Sequence, residues 1–193
     1  MPFSEENQKI ILKLARDALR TAVEKGRLPS IDLSPYPAEL QKLGASFVTL
    51  TKHDALRGCI GALEARVPLA EDIRQHAAAA ALQDYRFAVV ERDEVDEIRI
   101  EVSILTDPKP LSYKNPQNLI ESLRPMVDGV IISDGLRRAT FLPQVWEKIP
   151  SPPLFLSMLC EKASLPSDAW QTMNLEVYTY QVETIHEKPH TSA

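Results

Sequence analysis

Phe47-Val48-Thr49-Leu50-Thr51-Lys52, then His53-Asp54-Ala55, then Leu56-Arg57-Gly58-Cys59-Ile60-Gly61 reads as a strand, a turn and a returning strand. The first run is rich in β-branched and aromatic residues, and the second resumes after a short polar break. A strand that turns straight back pairs antiparallel with its neighbour. The same pattern recurs downstream, where Gly129 to Ser133 and Leu136 to Phe141 flank Asp134-Gly135. Asp-Gly between β-rich runs predicts a hairpin with a type I′ turn. Residues 98–106 give the clearest single strand: Ile98, Ile100, Val102 and Ile104 alternate with Arg99, Glu101, Ser103 and Leu105. A long final strand is expected over 174–185.

Helices separate these runs. Ile10, Ile11, Leu14, Ala18, Leu19, Ala22 and Val23 recur at three- and four-residue spacing, which predicts an amphipathic helix over 5–24. Ser4 suits its N-cap, and Gly26 the left-handed residue that ends it. Three prolines make 27–37 an extended segment. Further helices are expected over 38–43, 69–83 (opened by Pro68), 116–124 (capped by Asn115), 143–148 and 153–163. Hairpins mixed with helices, without regular βαβ alternation, predict an α+β fold. Its sheet is expected to be mixed or largely antiparallel, with helices packed on it. The chain reads as one domain over 1–193, with subdomain seams in the proline-rich loops at 107–116 and 150–153.

Composition narrows the function classes. Lys plus Arg is 22 against 27 Asp plus Glu, a net charge of −5. With no long basic run, this argues against nucleic-acid binding. No run of about 18 apolar residues exists, so no membrane span is expected. The opening MPFSEENQKI is polar and lacks a signal-peptide core, and two cysteines make no secreted disulfide framework. A cytoplasmic location with reduced thiols is the expectation. No C-x-x-C, H-E-x-x-H, Walker or G-x-G-x-x-G pattern is present, so neither metal nor cofactor is expected.

Two of the chain's six glycines, Gly58 and Gly61, flank Cys59. On a regular strand Arg57, Cys59 and Gly61 share one face, and Leu56, Gly58 and Ile60 the other. Glycine inside a strand marks a bulge or a close approach. Two readings of Cys59 follow. Arg57 on the same face would depress the thiol pKa and make Cys59 a thiolate nucleophile. Alternatively Cys59 is a small buried hydrophobe or a ligand-lining residue, and the glycines let a helix pack closely. A nucleophile needs a base, and His53, His76, His186 and His190 are poorly placed to supply one. Glu101 and Ser103 point away from the aliphatic stripe of their strand. If that strand adjoined 56–61, Glu101 would pair with Arg57. Asp84 and Arg86 follow a helix and suit a loop-organising salt bridge, or an anion contact through Arg86.

The hexapeptide Leu56-Arg57-Gly58-Cys59-Ile60-Gly61 resembles the signature of the AMMECR family, named for a chromosomal region linked to Alport syndrome, mental retardation, midface hypoplasia and elliptocytosis. Phe47-Val48-Thr49-Leu50, Asp84-Tyr85-Arg86-Phe87 and Glu101-Val102-Ser103-Ile104-Leu105 resemble further elements in the same order. So do Thr140-Phe141-Leu142-Pro143-Gln144-Val145 and Leu159-Cys160-Glu161-Lys162-Ala163, with Trp170 following. The resemblance spans about residues 5–185. It implies an α+β protein with no settled biochemical activity. It also implies association with Memo-like proteins, which resemble metal-dependent dioxygenases, and with radical S-adenosylmethionine proteins, in a shared modification pathway. The favoured reading is a protein that binds a small molecule, peptide or partner at a cleft near the LRGCIG motif. In that reading Arg57, Gly58, Gly61, Asp84, Arg86, Glu101 and Ser103 are binding residues. The alternatives are group transfer by Cys59 as catalytic nucleophile, and a purely structural interaction module.

Overall fold

In a computed structural model, which describes residues 2–188, helix α1 runs Glu5–Lys25. The Ser4 side chain accepts from the Asn7 amide, and Gly26 ends the helix at φ +70°. Helix α2 (Ala38–Gln41) is one turn long, and α3 (Leu69–Leu82) begins directly after Pro68. The strands of the first unit are β1 (Leu43–Lys52), β2 (Ala55–Gly61), β3 (Val67–Pro68), β4 (Ile98–Leu105) and β9 (Val182–His186). They form one sheet of order β2-β1-β4-β9, with β3 paired to β1. The pairings of β1 with β2, β3 and β4 are antiparallel. Of the described residues, 2–105 and 183–188 make up this compact unit.

Alternation along β1 and β4 buries Val48, Leu50, Ile98, Ile100, Val102 and Ile104. These residues share one apolar core with Ile11, Leu14, Leu19, Ile73 and Ala77 of α1 and α3. The alanine run of α3 follows from this packing. A β-carbon on Gly58 would lie 2.2 Å from the Ala80 carbonyl oxygen, so β2 and α3 meet backbone to backbone. Small side chains on the helix and none on the strand permit that approach.

The second unit comprises residues 106–182. Its sheet has the order β5 (Lys109–Pro110), β8 (Glu176–Tyr180), β6 (Gly129–Ser133), β7 (Arg138–Phe141), and its neighbours are antiparallel. Helices α4 (Pro116–Ser122), α5 (Pro152–Lys162) and α6 (Ala169–Thr172) complete it, with a 3-10 turn at Pro143–Glu147. The Trp146 and Phe155 rings stack with centroids 3.6 Å apart, and Phe141 meets Phe155 edge-on at 5.2 Å. The Trp146 indole N–H donates to the Asp128 carbonyl at 2.7 Å, which satisfies the polar atom of a fully buried side chain. The loop at 150–153 lies inside this unit.

Two expectations are corrected, and one condition is not met. The single strand over 174–185 is two strands in two sheets, β8 and β9, separated at Gln181. There Gln181 leaves the ladder: its amide donates to the Thr106 hydroxyl, and its carbonyl accepts from the Thr106 amide, both at 2.9 Å. The β6–β7 turn is not type I′. That turn needs two residues at positive φ, and here Gly135 alone has it, at +92°. Asp134 instead bridges a wider loop, its carboxylate accepting from the Leu136 and Arg137 amides. In β1–β2, by contrast, His53 (φ +50°) and Asp54 (φ +62°) form the two-residue turn with both φ values positive. Finally, β4 does not adjoin β2, because β1 lies between them.

Candidate functional site

The expected alternation of 56–61 is broken at one residue. Leu50 opposes Gly58 while Thr51 opposes Leu56, which leaves Arg57 as an extra, bulged residue on β2. A bulge re-aims the side chain it carries. The Arg57 guanidinium accordingly binds the Glu94 carboxylate twice, at 2.6 and 3.1 Å, and donates to the carbonyls of Ala88 and Val89. The bonds from Arg57 to the carboxylate are the largest cause holding the Glu94 carboxyl down at about 2, with smaller parts from the Glu91 amide and Lys52. Arg57 therefore fastens the 88–94 loop to β2, and the pair with Glu101, which required β4 beside β2, does not form.

Cys59 sits on the edge strand. An edge strand exposes backbone donors and acceptors that invite another strand to pair. At Cys59 the Asp84-Tyr85-Arg86 turn takes both. The Cys59 amide donates to Asp84 Oδ2 at 2.8 Å, and Arg86 Nη2 donates to the Cys59 carbonyl at 3.2 Å. Asp84 also accepts from the Arg86 amide, Nε and Nη2. Arg86 is the largest cause holding the Asp84 carboxyl well below the usual carboxylate range, and the Cys59 amide adds to it. Asp84 and Arg86 thus form the loop-organising pair, and that pair is bonded to the strand that carries Cys59.

Cross-strand register then sets out the face on which the thiol lies. Cys59 opposes Thr49, and Thr49 opposes Glu101 on its other side. Strands lie about 4.8 Å apart, which puts Glu101 roughly 10 Å from Cys59. The Thr49 hydroxyl donates to Cys59 Sγ at 3.2 Å. The half-buried Glu101 makes no ion pair or side-chain hydrogen bond with any described residue. The next row is Gly61, Phe47 and Ser103. A β-carbon on Gly61 would lie 2.4 Å from the Phe47 ring, so the missing side chain makes room for that aromatic. Ser103 reaches Thr184 on β9 at 3.4 Å.

No described histidine hydrogen-bonds the thiol of Cys59. His53 pairs with Glu97 at 3.2 Å and His76 with Asp72 at 3.1 Å, His186 is exposed on β9, and His190 lies outside the described residues. Cys160 is fully buried in the second unit, and burial pushes its thiol pKa up. Among the described residues no group of three or more His, Cys, Asp or Glu could hold a metal ion, and no helix is long and apolar enough to cross a membrane. Sequence reasoning missed Thr49 and Glu94. Thr49 was open to discovery from strand alternation, but Glu94 sits in an irregular turn that no periodicity marks.

Residues 12–185 match the AMMECR1 family. The chain belongs to that family. Its AMMECR1-family relatives include protein MK0488 of Methanopyrus kandleri, 37% identical over 95% of this chain and 89% of that protein. A Methanothermobacter thermautotrophicus protein is 36% identical over 96% of this chain and 97% of its own length. The crystal structure of the uncharacterised protein PH0010 from Pyrococcus horikoshii superposes with a TM-score of 0.81 at 31% identity, covering 96% of this chain and 94% of that one. The α+β fold expected from the hairpins is the fold found.

Proposed function

We propose that this AMMECR1-family protein is a binding component of a modification pathway, and that a partner docks on the sheet face carrying Cys59, Thr49 and Glu101. The Glu101 carboxylate carries this reading: it is half-buried in the middle of a sheet, without a cationic or donor partner among the described residues. Its oxygens meet solvent, and a carboxylate that loses that water when a partner docks costs free energy unless the partner pairs it. A group supplied from outside would pair it. The thiol of Cys59, held by Thr49, lines that face. Thiolate chemistry is the weaker reading, because Arg57, the residue invoked to activate the thiol, is committed to Glu94 and two carbonyls.

The resemblance to the family names the candidate partners as Memo-like and radical S-adenosylmethionine proteins, and the reduced thiols fit a cytoplasmic setting. Titrating the isotope-labelled protein with a purified Memo-like protein tests the reading. Amide shifts should concentrate at Phe47–Thr51, Cys59–Gly61 and Glu101–Ser103. Shifts confined to other surfaces, or no shifts at all, would contradict it.

A further inference from the structure

On the opposite side of the β1–β2 sheet a groove of about 480 Å³ is lined by Ala22, Leu28, Ile60, Ala79 and Leu82, with Arg27, Gln75, His76 and Gln83 among its polar residues. Its volume falls in the range of small-molecule sites, about 300–1,000 Å³. His76 is held there by a buried network. Its Nδ1 lies 3.1 Å from Asp72 Oδ2, the same oxygen accepts from the Ser46 hydroxyl at 2.6 Å, and Ser46 and Asp72 are buried. An Asp carboxylate accepts the Nδ1–H and fixes both the tautomer and the ring orientation. That leaves Nε2, which has no partner among the described residues. Since no buried side-chain nitrogen or oxygen among the described residues is unpaired, Nε2 meets solvent. Arg27, raised beside the left-handed Gly26 that ends α1, makes no ion pair or side-chain hydrogen bond with any described residue.

We propose that this groove binds a small amphipathic carboxylate that carries a hydroxyl. The carboxylate pairs with Arg27, the apolar body lies on Ala79, Leu82 and Leu28, and the hydroxyl donates to His76 Nε2. Two chemical features follow from two residues. The exposed Arg27 guanidinium is free to form a bidentate, charge-assisted pair with a carboxylate. A ring nitrogen whose opposite N–H is fixed by a carboxylate is an oriented acceptor. The apolar floor of small and aliphatic side chains takes the body that joins them. This site is independent of the face that carries Cys59, because Ile60 and Cys59 point to opposite sides of β2.

Three probes separate the features: 4-hydroxyphenylacetate, phenylacetate without the hydroxyl, and 4-hydroxyphenylethanol without the carboxylate. Chemical-shift titration of the whole chain should place 4-hydroxyphenylacetate at Ala22, Leu28, Ile60, Ala79 and Leu82, with affinity at least fivefold above either truncated probe. His76→Gln should remove the advantage over phenylacetate and keep that over 4-hydroxyphenylethanol, and Arg27→Gln should do the reverse. Equal weakening of all three probes by either variant would overturn the proposal. So would the absence of shifts in the groove at millimolar probe, with folding of each variant checked by its amide spectrum.

Discussion

Replacing Asp84 by asparagine tests the loop that fastens the edge strand. The substitution keeps the size of the side chain but turns one accepting oxygen into a donor. Oδ2 accepts from the Cys59 amide and Arg86 Nη2, and Oδ1 from the Arg86 amide and Nε, so either orientation sets an amide NH2 against two donors. Hydrogen bonds to a charged group contribute about 1.5–3 kcal/mol each. The Arg86 side chain is 46% exposed and regains water, which offsets part of the loss. A net cost of about 2–3 kcal/mol follows from the remaining bonds. At about 2–4 °C per kcal/mol, Tm should fall by roughly 4–12 °C. The effect depends on pH with a definite sign. The folded-state pKa of Asp84 is lowered, so its stabilisation is complete above the unfolded value of about 3.9 and fades as pH falls below it. Urea denaturation of both proteins at pH 7, 5, 4 and 3 should show a gap that is widest at pH 7 and narrows below pH 4. A variant within about 0.5 kcal/mol of the wild type at pH 7, the usual range for a surface substitution, would refute the clamp. A gap that does not narrow in acid would refute the charge as its cause.

Gly58→Ala places a β-carbon 2.2 Å from the Ala80 carbonyl oxygen, and overpacking of this kind costs about 1–3 kcal/mol, readable by chemical denaturation. Glu94→Gln removes the charge that binds Arg57. Since the Glu94 carboxyl is held at about 2, the variant's deficit should be full above about pH 4.3 and shrink as pH falls towards 2, measured by the same denaturation series. Phe155→Ala should destabilise the second unit by about 3–5 kcal/mol and reduce the near-ultraviolet circular dichroism of Trp146, whose ring loses its stacked neighbour.

The parts of the fold that follow a simple period were legible in the sequence. The helix over 5–24 and the strand over 98–106 recur closely as Glu5–Lys25 and Ile98–Leu105, because each buries one regular stripe in the same core. Features set by tertiary bonds were hidden. The extra residue at Arg57 depends on how β2 registers with β1, and its acceptor Glu94 is 37 residues away in a turn. The division of 174–185 depends on Thr106, which is 75 residues from Gln181 and takes up its backbone groups. Part of the candidate site was legible too. Asp84 with Arg86 reads as a local pair, whereas the row Cys59–Thr49–Glu101 needs the strand order to bring its members together. Gly58 shows how one residue supports a sound reading for a packing reason: its spacing beside Cys59 draws attention to a ligand, while its missing side chain accommodates Ala80.

If the sheet face around Glu101 binds a partner without thiol chemistry at Cys59, charge rather than sulfur should govern the affinity. Calorimetric titration of a purified Memo-like protein into the wild type, Cys59→Ser and Glu101→Gln decides this. Cys59→Ser should bind within about twofold of the wild type, and Glu101→Gln at least tenfold more weakly, since an interfacial carboxylate that is paired on binding contributes about 2 kcal/mol or more. Binding lost in Cys59→Ser and kept in Glu101→Gln, or no binding by any of the three proteins, would contradict it.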